Sequence, residues 1–269
     1  MATMSDSAFA GSIPALYDRH LGPLLFEPYA AEMARRLGDL KAGSLIETAA
    51  GTGIVTQALA RDLPASVDIL ATDLNQAMLD FAAAKADMLR VKFQQADATA
   101  LPAAESSFDA LVCQFGVMFF PDRVKGYREA HRVLKPGGRA LIAIWKGLDE
   151  NVAARAAQEA LARQFPDDPP RFLARTPYGH GDEKTIRAEL AAGGFTNVTV
   201  DTVAFPSRGA VDDPAIGFCQ GSPLRGEIEA RAPGGLKATT DAVAAALAKE
   251  FGSGRIEVPM AALVVTAVK

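Results

Sequence analysis

Ser44-Leu45-Ile46-Glu47-Thr48-Ala49-Ala50-Gly51-Thr52-Gly53 is the stretch on which the fold turns. Its first five residues read as a short buried strand with a carboxylate, Glu47, next to its end. Gly51 and Gly53 lack a Cβ, so the backbone can turn sharply and approach a ligand closely, and Ile54 begins a helical pattern. A strand, a glycine turn and a helix open a parallel sheet covered by helices. In such a sheet ligands bind beyond the carboxyl ends of the strands, near the point where strand order reverses.

The same alternation continues outward. Further strands are expected near 67–72, 91–95, 110–114, 140–145 and 198–205, with helices near 54–61, 76–86, 123–134 and 183–192. Lys135-Pro136-Gly137-Gly138 breaks the chain, both glycines being expected at positive φ in the turn to the next strand. Upstream, residues 24–37 carry apolar side chains at helical spacing and predict an N-terminal helical cover over about 1–40. Residues 206–254 read as helical and polar, and 261–268 read as a late strand. The chain is therefore expected to be a single α/β domain. A core over 41–146 is followed by 147–269, which holds the remaining strands and a helical insertion at about 206–256.

Composition narrows the partners. The 269 residues are 49% hydrophobic, enough for a sizeable core, and 28 Lys and Arg against 32 Asp and Glu give a net charge of −4. No basic cluster suggests nucleic acid as a partner. No uninterrupted run of about 18 apolar residues suggests membrane insertion, and the first ten residues do not read as an export signal. Cys113 and Cys219 lie in no metal-ligand spacing, so no metal is expected, and a reducing cytoplasm is the simplest compartment.

Gly51-Thr52-Gly53 alone fits many nucleotides. A dinucleotide fingerprint wants a third glycine at position 56, where Thr56 stands. Glu47 would repel a pyrophosphate but suit a ligand bearing an ammonium group. Asp73, 20 residues past Gly53, ends the second strand and could accept both ribose hydroxyls. Asp97, two residues past the third strand, could take a hydrogen bond from an adenine amino group. Each aspartate could also be an ordinary turn or capping residue.

Together with Thr72-Asp73-Leu74-Asn75, Gln95-Ala96-Asp97-Ala98-Thr99-Ala100-Leu101-Pro102, Ser107-Phe108-Asp109, the run Cys113-Gln114-Phe115-Gly116-Val117-Met118-Phe119-Phe120-Pro121-Asp122 and Arg132-Val133-Leu134-Lys135-Pro136-Gly137-Gly138-Arg139, these motifs resemble the class I S-adenosylmethionine-dependent methyltransferases, in the small-molecule group similar to the ubiquinone/menaquinone-biosynthesis enzymes. The resemblance covers about residues 15–146. It implies a Rossmann-like, doubly wound, seven-stranded sheet whose last strand runs antiparallel between its neighbours. It implies S-adenosylmethionine as methyl donor, with S-adenosylhomocysteine as product. Glu47 and the backbone of Ala49, Gly51, Thr52 and Gly53 would surround the methionine moiety. Asp73 would hold the ribose, Asp97 and Ala98 the adenine, and Gln114 and Phe115 would lie near the sulfonium and amino group. Leu74 and Met78 are placed in the same site, and Tyr17 on a lid over it. The family usually has glycine where Ala49 stands, and a methyl group there is expected to require negative φ.

No catalytic residue is marked by the sequence. His20, on the lid segment, and His180, in a turn before a helix, are the candidate bases, each with a structural role as the competing reading. His131 and Cys113 read as packing. Phe115, Phe119 and Phe120 fit core or aromatic cage, and only Phe115 is placed near the cofactor by its motif. Methyl transfer from a sulfonium is an in-line displacement served mainly by alignment and water exclusion. After strand four, Gln114-Phe115-Gly116-Val117 replaces the Asn/Asp-Pro-Pro-aromatic element of nucleobase amine methylation, two cysteines are too few for arsenic, and no acidic cluster is found for metal-dependent catechol chemistry. A small organic acceptor is left. The competing readings are a non-catalytic S-adenosylmethionine-binding protein and a nucleotide-dependent oxidoreductase. An exposed apolar helix over 236–251 would support a homodimer.

Overall fold

The computed structural model describes Phe9 and residues 11–269. The part of the expected cover before Gly11, apart from Phe9, lies outside the described residues. From there α1 (Ile13–Leu16) runs into a π-helical segment, Tyr17–Phe26, and then α2 (Glu27–Arg36). Pro23 sits inside the wide π turns and Pro28 in the first turn of α2, where a missing N–H costs little.

β1 (Gly43–Thr48), α3 (Ile54–Asp62), β2 (Val67–Asp73), α4 (Gln76–Ala83) and β3 (Val91–Gln95) form the first half of the sheet. β4 (Phe108–Gln114), α5 (Arg123–Val133) and β5 (Leu134–Trp145) form the second. Strands β1 to β5 are parallel, and the whole sheet has the order β3-β2-β1-β4-β5-β7-β6. The order reverses between β1 and β4, which places a ligand crevice at their carboxyl ends. Central strands covered on both faces read as continuous apolar runs, and Leu45, Ile46, Val112, Ile142 and Val264 are fully buried.

After β5 come α6 (Val152–Gln164), α7 (Phe172–Arg175) and α8 (Glu183–Ala192), then β6 (Asn197–Ala210). Helices α9 (Asp213–Gln220), α10 (Leu224–Arg231) and α11 (Leu236–Phe251) precede β7 (Arg255–Val268). β7 lies between β5 and β6 and is antiparallel to both, as the late apolar run implied. β6 is one of the two edge strands, and over most of its length its residues are exposed or half-buried.

The helical insertion is shorter than expected, because β6 and β7 stay paired to Ala210↔Arg255. Pro206 had read as the end of the strand, but it lies directly opposite Pro259. In a non-hydrogen-bonded pair both N–H groups point away from the partner, so two opposed prolines leave the ladder intact. At the 135–138 breaker only Gly137 has positive φ, at 79°. Gly138 is demanded by contact instead, since a Cβ there would lie 2.9 Å from the Lys135 carbonyl oxygen. Helix α11, expected to expose an apolar face for a dimer, buries Val243 and Leu247 and packs on α6 and α9. Among the described residues no helix is long and apolar enough to cross a membrane.

Candidate active site

A cavity of about 330 Å³ opens at the switch point, over the carboxyl ends of β1, β2 and β4. Its wall includes Tyr17, Ala49, Gly51, Asp73, Leu74, Met78, Asp97, Ala98, Gln114 and Phe115, residues the sequence had placed there. Asn75, Ala96, Gly116 and Pro121, which lie within the quoted motifs but were given no role, and Phe9, which lies in none, complete it, and Phe119 and Phe120 line it although core was the competing reading.

Asp73 organises the first two loops. It is 7% exposed; Oδ2 accepts the Gly51 N–H and Oδ1 the Asn75 N–H, each at 2.8 Å. Burial pushes its carboxyl up, and those N–H donors pull it back down in part. Asp97 is similarly dual: it lines the cavity while accepting the Thr99 N–H at 2.7 Å. The turn-residue reading of both aspartates is thus correct and compatible with a ligand role. Gln114 Nε2 donates to the Phe26 carbonyl at 3.2 Å, which leaves Oε1 buried without a partner. A buried orphan acceptor on a cavity wall suits a ligand N–H donor. Leu74, 52% exposed, offers an apolar face to a flat ring.

Ala49 departs from its expectation. Its φ is +54°, not negative. Room for the methyl comes from Gly116, where a Cβ would lie 2.4 Å from that of Ala49. Phe115, at φ +55°, is the neighbouring strained residue, so two non-glycine left-handed residues flank the cavity at the ends of β1 and β4. An alanine in this region costs about 1–2 kcal/mol, against about 0.5–1 kcal/mol of extra chain entropy for glycine. Ala49→Gly is therefore expected to stabilise the protein by about 0.5–1 kcal/mol in urea denaturation. A destabilised variant would show that the methyl's packing outweighs the strain.

Glu47 also departs. It is 1% exposed and does not line the cavity; Oε2 accepts the Thr56 hydroxyl at 2.6 Å. Burial pushes its carboxyl up to about 8, with Thr56 opposing and Asp73 reinforcing the shift. Thr56, which had counted only as a missing glycine, is Glu47's partner. Gly53, at φ 80°, caps α3 and packs against Ala82, 2.9 Å from where its Cβ would be, and Thr52 is buried; neither lines the cavity.

The histidines lie elsewhere. His20 Nδ1 is 2.9 Å from Asp213 Oδ1, tying the π-helical segment to α9. His180 Nε2 is 3.0 Å from Glu189 Oε2 without hydrogen-bonding alignment, and burial and then Arg123 hold its pKa down. Asp182, two residues on, caps α8 through the Thr185 N–H. His131 packs edge-on against Phe195. Among the described residues no His, Cys, Asp and Glu cluster could hold a metal.

Residues 45–138 match a family model described as a methyltransferase domain. Over 173 residues the chain is 30% identical to the ubiquinone/menaquinone biosynthesis C-methyltransferase of Edwardsiella ictaluri, covering 59% of this chain and 68% of that protein. The chain belongs to the class I S-adenosylmethionine-dependent methyltransferases. A second relative of this methyltransferase, the enzyme of the same name from Geotalea uraniireducens, is 36% identical over 104 residues, 37% of this chain and 44% of that one. The fold is shared with Haemonchus contortus phosphoethanolamine N-methyltransferase 2, at TM-score 0.60 and 16% identity, covering 95% of this chain and 57% of that one. It is shared too with the [4+2]-cyclase SpnF, at TM-score 0.55 and 20% identity, covering 90% and 80%. One fold thus serves different reactions, and the methyltransferase's acceptor has to be argued from its own residues.

S-adenosylmethionine fits what the methyltransferase presents: a carboxylate at the end of β2, an orphan amide oxygen at the end of β4, and an apolar slot by Leu74 and Met78.

Proposed function

We propose that the chain moves the methyl group of S-adenosylmethionine to a small organic acceptor whose reacting end enters an apolar chamber of about 40 Å³ beside the cofactor cavity. The observation that carries this is a shared wall. A second, smaller cavity meets the first at Phe9, Tyr17, Phe115 and Phe119, and its other sides are Trp145, Phe172, Tyr178 and Phe218. The cofactor supplies an electrophilic methyl group when bound. The protein's residues supply position and dryness. Asp73 holds the ribose, Asp97 and Ala98 the adenine edge, Gln114 Oε1 the amino group, and the backbone of Ala49 and Gly51 the methionine end. Tyr17 stacks on Phe26 at 4.8 Å and separates the two spaces. Phe115 lies flat on Trp145, ring centroids 3.7 Å apart, and forms the floor where the two spaces meet. Alignment of this kind is worth about 7–11 kcal/mol of barrier in favourable cases, so no catalytic dyad is needed. Glu47 supports the glycine loop from behind through Thr56, and Gly53 and Thr52 shape its turn. Cys113 and Cys219 are buried free thiols, which fits a cytoplasmic location.

Addition of S-adenosylhomocysteine at about 100 times its Kd is expected to raise Tm by roughly 5–10 °C, with a matching heat in calorimetry. Well-folded protein that shows neither would sink the proposal. Binding without turnover across acceptors would favour the non-catalytic reading.

A further inference from the structure

The second chamber is walled by rings from Phe9 and from six further parts of the chain: the π-helical segment, the stretch following β4, the end of β5, α7, the turn after it, and α9. Among the described residues no charged side chain lines it. Its three hydroxyls differ. Ser222 Oγ is engaged, donating to the Phe218 carbonyl at 2.6 Å and accepting the Leu224 N–H at 3.2 Å. Tyr17 and Tyr178 line the chamber with no hydrogen-bond partner for either hydroxyl among the described residues, although Tyr178 is only 5% exposed. The Tyr178 hydroxyl, on the chamber wall, is free to donate to a ligand there.

The groups around Tyr178 are uncharged. Tyr17 approaches from the π-helical segment, Tyr29 from α2 with its own hydroxyl donated to the Val203 carbonyl, and Trp145 from β5. His180, two residues on, faces Glu189 and Arg123, and His20 is taken by Asp213. Neither histidine lines the chamber. Nothing described there can accept a proton at neutral pH.

Resting on the methyl-transfer reading, we propose that the chamber, of about 40 Å³, takes the reacting end of an uncharged, ring-bearing or aliphatic acceptor whose nucleophile is an acidic O–H or S–H group, ionised by loss of its proton to water, and that the Tyr178 hydroxyl donates the hydrogen bond that aims the resulting anion. The physical reason is charge. An anion meeting a sulfonium in a chamber of low polarity is attracted far more strongly than in water. Burial keeps the Tyr178 phenol above its ordinary range, so it remains a donor. In the step, a lone pair on the acceptor's oxygen or sulfur forms the new bond to the methyl carbon. The carbon–sulfonium bond breaks, its electron pair stays on sulfur, and two opposite charges are lost together. The proton is already in the solvent.

The test offers the full chain 4-nitrophenol and 4-nitrothiophenol, each with less acidic ring-substituted analogues, and follows kcat/KM against pH. The rising limb is expected to move with each acceptor's own pKa, and the phenol and thiol arms show which element is methylated. Tyr178→Phe is expected to lower kcat/KM about tenfold. In the S-adenosylhomocysteine complex it is expected to raise the absorbance titration of bound 4-nitrophenol by about one pH unit, with S-adenosylhomocysteine affinity unchanged. A limb fixed in pH across acceptors would overturn the proposal by revealing a protein base. So would failure of both series, or turnover of amines alone, in protein that binds S-adenosylhomocysteine. An unmoved titration in Tyr178→Phe would overturn that residue's role. Loss of S-adenosylhomocysteine binding itself would instead strike the cofactor reading.

Discussion

Asp73→Ala is expected to weaken S-adenosylhomocysteine binding by at least about 100-fold in calorimetry, because hydrogen bonds to a charged group are worth about 1.5–3 kcal/mol each and each 1.4 kcal/mol is tenfold. Two separate losses combine. A ligand's ribose loses its carboxylate acceptor, and the N–H groups of Gly51 and Asn75, which both point at Asp73, lose theirs. The glycine loop and the start of α4 are then no longer tied to one another at the cavity mouth. Stability is expected to fall much less than affinity. Burial pushes the Asp73 carboxyl up, so its removal also relieves a desolvation cost. Asp73→Asn, which keeps the shape and one acceptor oxygen, is expected to fall between wild type and alanine. If Asp73→Ala binds within a few-fold of wild type while folded, the ribose role assigned to this residue is wrong.

The sheet was largely legible, because each central strand is covered on both faces and writes itself as an apolar run. The late strand 261–268 and its antiparallel position followed from its composition and from the family resemblance, and β7 pairs as expected with β5. What escaped was what depends on two distant residues at once. Pro206 is a strand breaker until Pro259 is known to face it. Ala49 needs negative φ until Gly116 is known to make room. Much of the wall of the larger cavity was readable because its residues cluster at strand ends in short motifs. Apart from Tyr17, read as a lid residue, the chamber beyond it is assembled from Trp145, Phe172, Tyr178 and Phe218, which share no spacing or motif. His20 and His180 drew notice as the chemically able residues of the flanking segments, yet Asp213 and the Arg123–Glu189 pair hold them outside.

Glu47 lies next to the end of β1 as expected, but its side chain is buried and does not line the cavity. A carboxylate at the end of β1 suits an ammonium group, but this one is sealed behind the loop with Thr56. Sealing has a thermodynamic signature. The folded chain holds the Glu47 proton up to about pH 8, whereas its ordinary value is 4.5. Below pH 4.5 both folded and unfolded chains are protonated at this site and the burial is tolerated. As pH rises from 4.5 to 8 the unfolded chain releases its proton and the folded chain does not, so stability is lost across that window. Glu47→Gln keeps the size, still pairs with the Thr56 hydroxyl and never ionises. It is expected to be more stable than wild type by about 2–4 kcal/mol above pH 8, allowing for relaxation around the charge. The gap should close to nearly nothing at pH 4.5, in urea titrations run across that range. S-adenosylhomocysteine affinity should change little, since the carboxylate does not face the cavity. A Glu47→Gln variant that gains no stability with pH and loses the ligand would restore the carboxylate to direct contact with the amino group. It would mean that the loop over residues 49–53 opens when the cofactor enters.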